Sequence, residues 1–347
     1  MSEGRAVRVA VLGFGYWGPN LARNLAETAG FELAAICDTR PEVLKLARTR
    51  YSYAQCGTDV ESILADPKIE AVAIATPVST HAELAVKAFA HGKHVLLTKP
   101  IAGSAVEARK IIDAAKRAGR VLLVDHTFVY MGAVQKVKTL IDNGVLGALY
   151  YFDSVRVNLG LFQQDVSVLW DLAVHDLSIL GAWVPGRPTA VSCIASGHVE
   201  GHPKDVAYLT LLYDDSFTAH VHVNWLSPVK IRRTLLGGSK KMIVFDDLDP
   251  VEKIKVYDRG VSQRMEPSSD ARGPIAYRRT GDVWMPQFDL TEALLVETGH
   301  FLRCILEGEA PRTDGASALR IVEILEAADQ SMAEQGRAVA LSSSADQ

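Results

Sequence analysis

VRVAVLGFGYWG, residues 7–18, is the stretch on which the reading of this chain turns. Its first half is a short apolar run suited to a strand buried on both faces. Its second half places glycine at 13, 15 and 18, and residues 19–29 continue with a helical pattern, Pro19 in the first turn. A G-x-G-x-x-G string carries little weight alone in a chain with 26 glycines, but between a strand and a helix it has the setting of a dinucleotide-binding turn. Gly13 permits the tight turn, Gly15 lets the backbone approach a pyrophosphate, and Gly18 lets helix and strand pack closely; Phe14, Tyr16 and Trp17 fill the positions between them. The helix start offers N–H groups and the positive end of its dipole. Asp38 ends a second strand, and a carboxylate there accepts ribose hydroxyls and repels a 2′-phosphate. NAD is therefore expected over NADP. Thr39 and Arg40 stand beside Asp38, and Arg40 is the group that would favour the phosphorylated cofactor.

The alternation continues outward from this loop. Residues 41–50, 58–64, 79–90 and 104–118 read as helices, and residues 51–57, 71–75, 94–97 and 121–124 as strands. Thr58 with Glu61 three positions on has the pattern of a capping box. Repeated strand–helix units imply a parallel, doubly wound sheet with right-handed crossovers. After residue 126 the rhythm changes. In residues 217–225, Phe217, Ala219, Val221, Val223 and Trp225 share one face and Thr218, His220, His222 and Asn224 the other, the period of an antiparallel strand packed on one side. Residues 206–213, 229–236, 242–245 and 253–257 read as further strands, residues 258–283 as a long polar loop, and helices close the chain near 292–306 and 317–335. The expected architecture is an α/β Rossmann domain over residues 1–125 and an α+β domain with an open, mainly antiparallel sheet over residues 126–347.

Composition excludes several classes. A chain of 347 residues holds roughly two domains. With 37 Lys and Arg against 41 Asp and Glu, the net charge of −4 gives no electrostatic reason to bind nucleic acid or an anionic membrane. The apolar runs are all short of the roughly 18 residues a membrane span needs. The first strand begins within a few residues of Met1, leaving no room for a signal peptide, and the four separated cysteines read as reduced thiols of a cytoplasmic protein. His220 and His222 share a strand face without a Cys, Asp or Glu at ligand spacing, so no metal is expected.

Several motifs, in order, resemble those of the Gfo/Idh/MocA oxidoreductases: GFGYWG with Asp38; Ala75-Thr76-Pro77 with His81; Lys99-Pro100; Asp125-His126-Thr127-Phe128; and Asp171 with His175. The resemblance implies a Rossmann domain followed by an open sheet through which many members associate, here as a homodimer or homotetramer. It implies that Thr76, Pro77, His81, Thr98, Lys99, Pro100 and His126 line the cofactor, and that Lys99, Asp171 and His175 carry the chemistry. The family usually has Glu-Lys-Pro where this chain has Thr98-Lys99-Pro100. The GYWGPN start is similar to that of members acting on nucleotide sugars, UDP-N-acetylglucosamine 3-dehydrogenases among them.

The residues support a mechanism of their own. Lys99 falls at the carboxyl end of a strand, where open α/β sheets bind ligands, and an ammonium there can steady a developing alkoxide. If LWDLAVHDLSIL is helical, Asp171 and His175 share one face, an imidazole suits proton removal from a hydroxyl, and Asp171 can orient it or bind a neighbouring hydroxyl. Arg156 and Asn158 could reach a polar substrate, or be exposed strand residues. The leading expectation is hydride transfer between a nucleotide-sugar secondary alcohol, at pyranose C3, and NAD. Oxidation of a free sugar, glycoside or inositol is the alternative; a non-catalytic NAD-binding sensor is the alternative of another class.

Overall fold

The computed structural model describes residues 6–160, 162, 166–262, 276–278 and 281–341. Its strands β1 (Val7–Leu12), β2 (Phe31–Cys37), β3 (Gln55–Gly57), β4 (Ala71–Ile74), β5 (His94–Thr98) and β6 (Leu122–Asp125) form a parallel sheet in the order β3-β2-β1-β4-β5-β6. Helices α1 (Gly18–Glu27), α2 (Pro41–Arg50), α3 (Val60–Ala65), α4 (His81–Ala90) and α5 (Ala105–Ala118) make the crossovers. The strand order reverses between β1 and β4, which places the turn after β1 at the topological switch point where such sheets bind ligands. The third helix starts one residue later than the sequence suggests. Asp59, not Thr58, is the cap, its carboxylate accepting from the Glu61 and Ser62 amides.

A second sheet follows helix α6 (Gly132–Asp142). Its strands are β7 (Leu149–Val157), β8 (Ala190–Ser196), β9 (Val206–Leu212), β10 (Thr218–Asn224), β11 (Ile231–Gly238), β12 (Met242–Asp246) and β13 (Ile254–Tyr257), and helix α7 (Val174–Trp183) lies between β7 and β8 in sequence. The alternation read in residues 217–225 holds. Phe217, Ala219, Val221, Val223 and Trp225 are buried, whereas Thr218 is exposed and His220, His222 and Asn224 are half-buried. The strand is not antiparallel throughout: β10 runs antiparallel to β9 but parallel to β7, so the sheet is mixed. The stretch expected as a loop over 258–283 contains structure at its ends. Strand β14 (Gly260–Ser262) pairs with β15 (Ala276–Arg278), and β16 (Val283–Trp284) pairs with β13; residues 263–275 lie outside the described residues.

The chain closes with α8 (Ala293–Leu306), α9 (Gly315–Ala333) and β17 (Val339–Ala340), the last pairing with β8. Two compact units result: residues up to Met131 together with Thr291–Glu323, and Gly132–Leu290 together with the residues from Ile324. In the first unit, Leu294, Phe301 and Cys304 of α8 join a core built from Val9, Val11, Leu21, Leu25, Ile36 and Leu96, with Phe301 stacked on Phe31. No helix among the described residues is long and apolar enough to cross a membrane.

The second unit has a polar knot inside its core. Arg156 on β7 (3% exposed) donates through Nε to Asp176 on α7 (2% exposed) at 2.7 Å, and Ser154 donates to the same carboxylate at 2.7 Å while meeting Thr234 of β11. Breaking a buried pair strands a charge in low dielectric. Asp176→Ala is expected to cost about 3–5 kcal/mol of stability, read as a lower denaturation midpoint; an unchanged midpoint would show that the pair contributes nothing net.

Candidate active site

The glycine loop is built as its residues require. Gly13 has φ +92° and its backbone sits so close to β4 that a Cβ would lie 2.5 Å from the Ala75 carbonyl oxygen. A Cβ on Gly18 would lie 2.1 Å from the Gly13 carbonyl oxygen, so only glycine lets α1 begin there. Trp17, at the cap position of α1, offers no side-chain acceptor, and the first turn holds no acid. Pro19 has no N–H and the Asn20 amide returns to the Trp17 carbonyl at 2.9 Å, so what the helix start offers an anion is the Gly18 amide and the positive end of the dipole. Tyr16 is exposed and Phe14 is buried against Tyr51.

Asp38 is nearly buried beside this loop and accepts from the Phe14 amide at 2.8 Å. Arg40, exposed like Thr39, folds back onto the same carboxylate, Nε at 2.9 Å and Nη2 at 3.0 Å. Burial alone would raise the Asp38 pKa; the Arg40 guanidinium and the Phe14 and Arg40 amides outweigh it and hold the carboxyl at about 2. With the folded value below the unfolded one, ionised Asp38 stabilises the fold above the ordinary aspartate range, and that contribution is lost only as pH falls toward 2.

The ends of β4, β5 and β6 carry the next group. Thr76 is half-buried and accepts from the Thr80 hydroxyl, and Pro77 is exposed. His81 is fully buried, its ring between the carbonyls of Thr76 and Pro100, each at 3.0 Å. Thr98 is buried with its hydroxyl 3.4 Å from His81 Nε2, and half-buried Lys99 follows at the strand's carboxyl end. His126 is 2% exposed with neither ring nitrogen hydrogen-bonded among the described residues. Burial first, and then the charge of Lys99, push its pKa down to about 3, so the ring is neutral. Orphaned buried polar atoms beside an uncapped helix start and a ribose-type carboxylate fit a bound dinucleotide.

In the second unit the expected single helix is divided. Residues Leu169–Ala173 form a wide π turn that runs into α7. Asp171 sits on the π turn and accepts from the Trp225 indole at 3.3 Å; His175 lies half-buried in the first turn of α7. Such turns are rare and frequent at functional sites. Asn158 is half-buried just past β7, and Arg156 is engaged by Asp176. His220 and His222 flank Tyr208 in a stack, 4.4 Å from ring centre to ring centre for His222. No group of three or more His, Cys, Asp or Glu among the described residues is placed to hold a metal ion.

One pair escaped the sequence reading. Asp125, a member of the Asp125-His126-Thr127-Phe128 motif, is buried and accepts from the Trp17 indole at 2.5 Å, and Glu297 on α8 faces it. The signal for Glu297 was present: an acid spaced three after Leu294 and four before Phe301 sits on the apolar stripe of its helix.

Fold and loop together define an NAD-binding oxidoreductase. The family profile described as oxidoreductase family, NAD-binding Rossmann fold, matches residues 7–126, and that of the GFO/IDH/MocA C-terminal domain matches residues 134–244. The chain belongs to the Gfo/Idh/MocA oxidoreductases. It is 24% identical to D-apiose dehydrogenase of Rhizobium rhizogenes over 339 residues, covering 95% of this chain and 96% of that one. It is 24% identical to scyllo-inositol 2-dehydrogenase (NAD(+)) of Bacillus subtilis over 320 residues, 88% of each. Levoglucosan dehydrogenase, solved in complex with NADH and levoglucosan, matches with a TM-score of 0.82 over 98% of this chain and 100% of that one; at 22% identity it shows the shared fold.

The Asp38–Arg40 pairing sets a cofactor test. Asp38→Ser removes the carboxylate and releases Arg40, so the ratio of NADP to NAD affinity is expected to rise about tenfold or more, measured by titration with each reduced cofactor. An unchanged ratio would mean that Asp38 does not read the ribose.

Proposed function

We propose that the protein is an NAD-dependent dehydrogenase that oxidises a secondary alcohol on a sugar or cyclitol ring. The observation that carries this reading is the uncapped start of α1 beside Asp38, at the switch point of a sheet whose β5 is followed at once by Lys99. Bound NAD+ supplies the hydride acceptor. His175 accepts the proton of the substrate hydroxyl, Lys99 donates to its oxygen and stabilises the charge that grows there, and Asp171 holds a neighbouring hydroxyl. The same groups serve the reverse direction. Asn158 is assigned to the substrate; the proposed part of Arg156 is to hold Asp176, and so the start of α7, in place.

The named relatives, D-apiose and scyllo-inositol dehydrogenases, support a free sugar or cyclitol. The nucleotide-sugar reading, with oxidation at pyranose C3, rests on the GYWGPN start alone. The proposed assembly is a homo-oligomer through the outer face of the second sheet, where exposed Ile194 and Tyr208 and half-buried His222 are register mates; sedimentation of the purified chain as a monomer would refute it.

The deciding assay incubates the protein with NAD+ and a panel of free sugars, inositols and UDP-sugars and follows the absorbance of NADH. Reduction with one class names the substrate family; bound cofactor without reduction by any class favours the sensor. His175→Ala is expected to lower turnover by about a hundredfold or more with NADH binding unchanged, and Lys99→Met by a similar factor. Turnover near wild type in either variant would remove that residue from the chemistry.

A further inference from the structure

Neither the fold nor the proposed chemistry asks for an acid at position 297. Glu297 lies mid-helix in α8, on the face that carries Leu294, Phe301 and Cys304 into the core, and it is 0% exposed. Neither of its oxygens meets a well-aligned donor among the described residues. Its carboxyl faces the carboxylate of Asp125 and, less well aligned, the backbone amide of His126. Asp125 is differently placed. At 2% exposure it accepts from the Trp17 indole and the Thr127 hydroxyl, each at 2.5 Å, and from the Thr127 amide at 3.2 Å.

Two buried carboxyls in contact do not both ionise. The charge belongs on Asp125, which has three donors to stabilise it, and the proton belongs on Glu297, which has none. A protonated Glu297 turns from an orphan acceptor into a donor, and the acceptor it faces is Asp125. We propose that Glu297 is a positioning residue of the dinucleotide site, a neutral acid that keeps its proton, donates a hydrogen bond to Asp125 and through it fixes the Trp17 indole at the start of α1. This rests on the NAD-binding reading above.

The arrangement links three elements at the loop. Trp17 stands where α1 has no side-chain cap, so its indole anchor, not a cap, sets the direction of the helix start. Asp125 ends β6 and is followed by His126, whose orphaned ring the pair holds in register. The groups around Glu297 leave its proton in place. Burial, and after it Asp125, raise its pKa well above the ordinary glutamate value. From the turn after β6, Tyr130 is kept neutral chiefly by burial, its hydroxyl against Thr313; His300 and Arg312 lie against the Tyr130 ring. From α1, Arg23 and Asn24 are spent on Glu292, the residue that precedes α8. Because the folded value is the raised one, the contribution of neutral Glu297 is complete below the unfolded glutamate pKa and is lost as pH climbs through the folded value.

The test uses the full-length wild type, Glu297→Gln, Glu297→Leu, Trp17→Phe and the Leu/Phe double variant. Infrared difference spectra at neutral pH read the proton directly: a carboxylic-acid C=O band in the wild type that Glu297→Gln lacks is expected. NADH titration reads positioning. The amide of Glu297→Gln keeps a neutral donor and should bind within about threefold of wild type; Glu297→Leu should bind about tenfold more weakly. Trp17→Phe should match that loss, and the double variant should be no worse than either single one, because both cut the same chain of bonds. The absence of the acid band, wild-type affinity in Glu297→Leu, or simple addition of the two losses would each overturn the proposal. Should Glu297→Leu not fold, the band and the Trp17→Phe loss still decide it. A wild type that binds no NADH at all would overturn the cofactor reading, while the band would still report the shared proton.

Discussion

The first turn of α1 has no cap, and the first unit is organised around that constraint. Side-chain caps are made at α3 by Asp59 and at α5 by Ser104, each accepting from backbone amides of the first turn, whereas α2, α4, α7 and α8 share with α1 the lack of one. Forgoing a cap costs about 1 kcal/mol. At α1 that cost is offset along the helix face, where Leu21, Ala22 and Leu25 are buried against the sheet and α8. Thr28 and Thr298 share a hydrogen bond at 2.7 Å, and Arg23 and Asn24 reach Glu292. Stability is thereby moved from the end of the helix to its side, and the Gly18 amide and the positive end of the dipole are left for an anion.

That relocation explains what the sequence could and could not disclose. The glycine loop, the strand–helix rhythm and the alternation of β10 are local patterns, and each was legible because its cause lies within a dozen residues. The membership of α8 was not. Its apolar stripe announces a buried face, but nothing in residues 293–306 says that the face packs on α1 and on Phe31 of β2, more than two hundred and fifty residues earlier. Glu297 meets the same limit: its place on the apolar stripe is a local signal, but what the acid does there is intelligible only beside Asp125. At short range the failures were competitive: Asp59 out-competed Thr58 as a cap, and the parallel pairing of β10 with β7 is invisible to a period of two.

The second unit shows a buried charge used for placement. A buried ion pair is weak support for stability, because desolvation opposes the Coulomb attraction. What the Arg156–Asp176 pair does fix is orientation. With Asp176 turned onto β7, the direction of His175, the preceding residue on the same helix, is set as well. The π turn just upstream then separates Asp171 from that helix and gives its carboxylate to the Trp225 indole.

The same economy of charge accounts for threonine at position 98. His81 is buried between two carbonyl oxygens, and burial pushes its pKa down, so the ring is neutral and has one N–H to give. Nδ1 faces the Pro100 carbonyl and Nε2 the Thr76 carbonyl, and the Thr98 hydroxyl, 3.4 Å from Nε2, is a neighbour that carries no charge. A carboxylate at 98 would be buried against that ring and would draw a second proton onto it. The pair would then be ionic and the position of Lys99, the next residue, would depend on pH. With threonine the strap between β4 and β5 is neutral, and Lys99 brings the positive charge at this strand end.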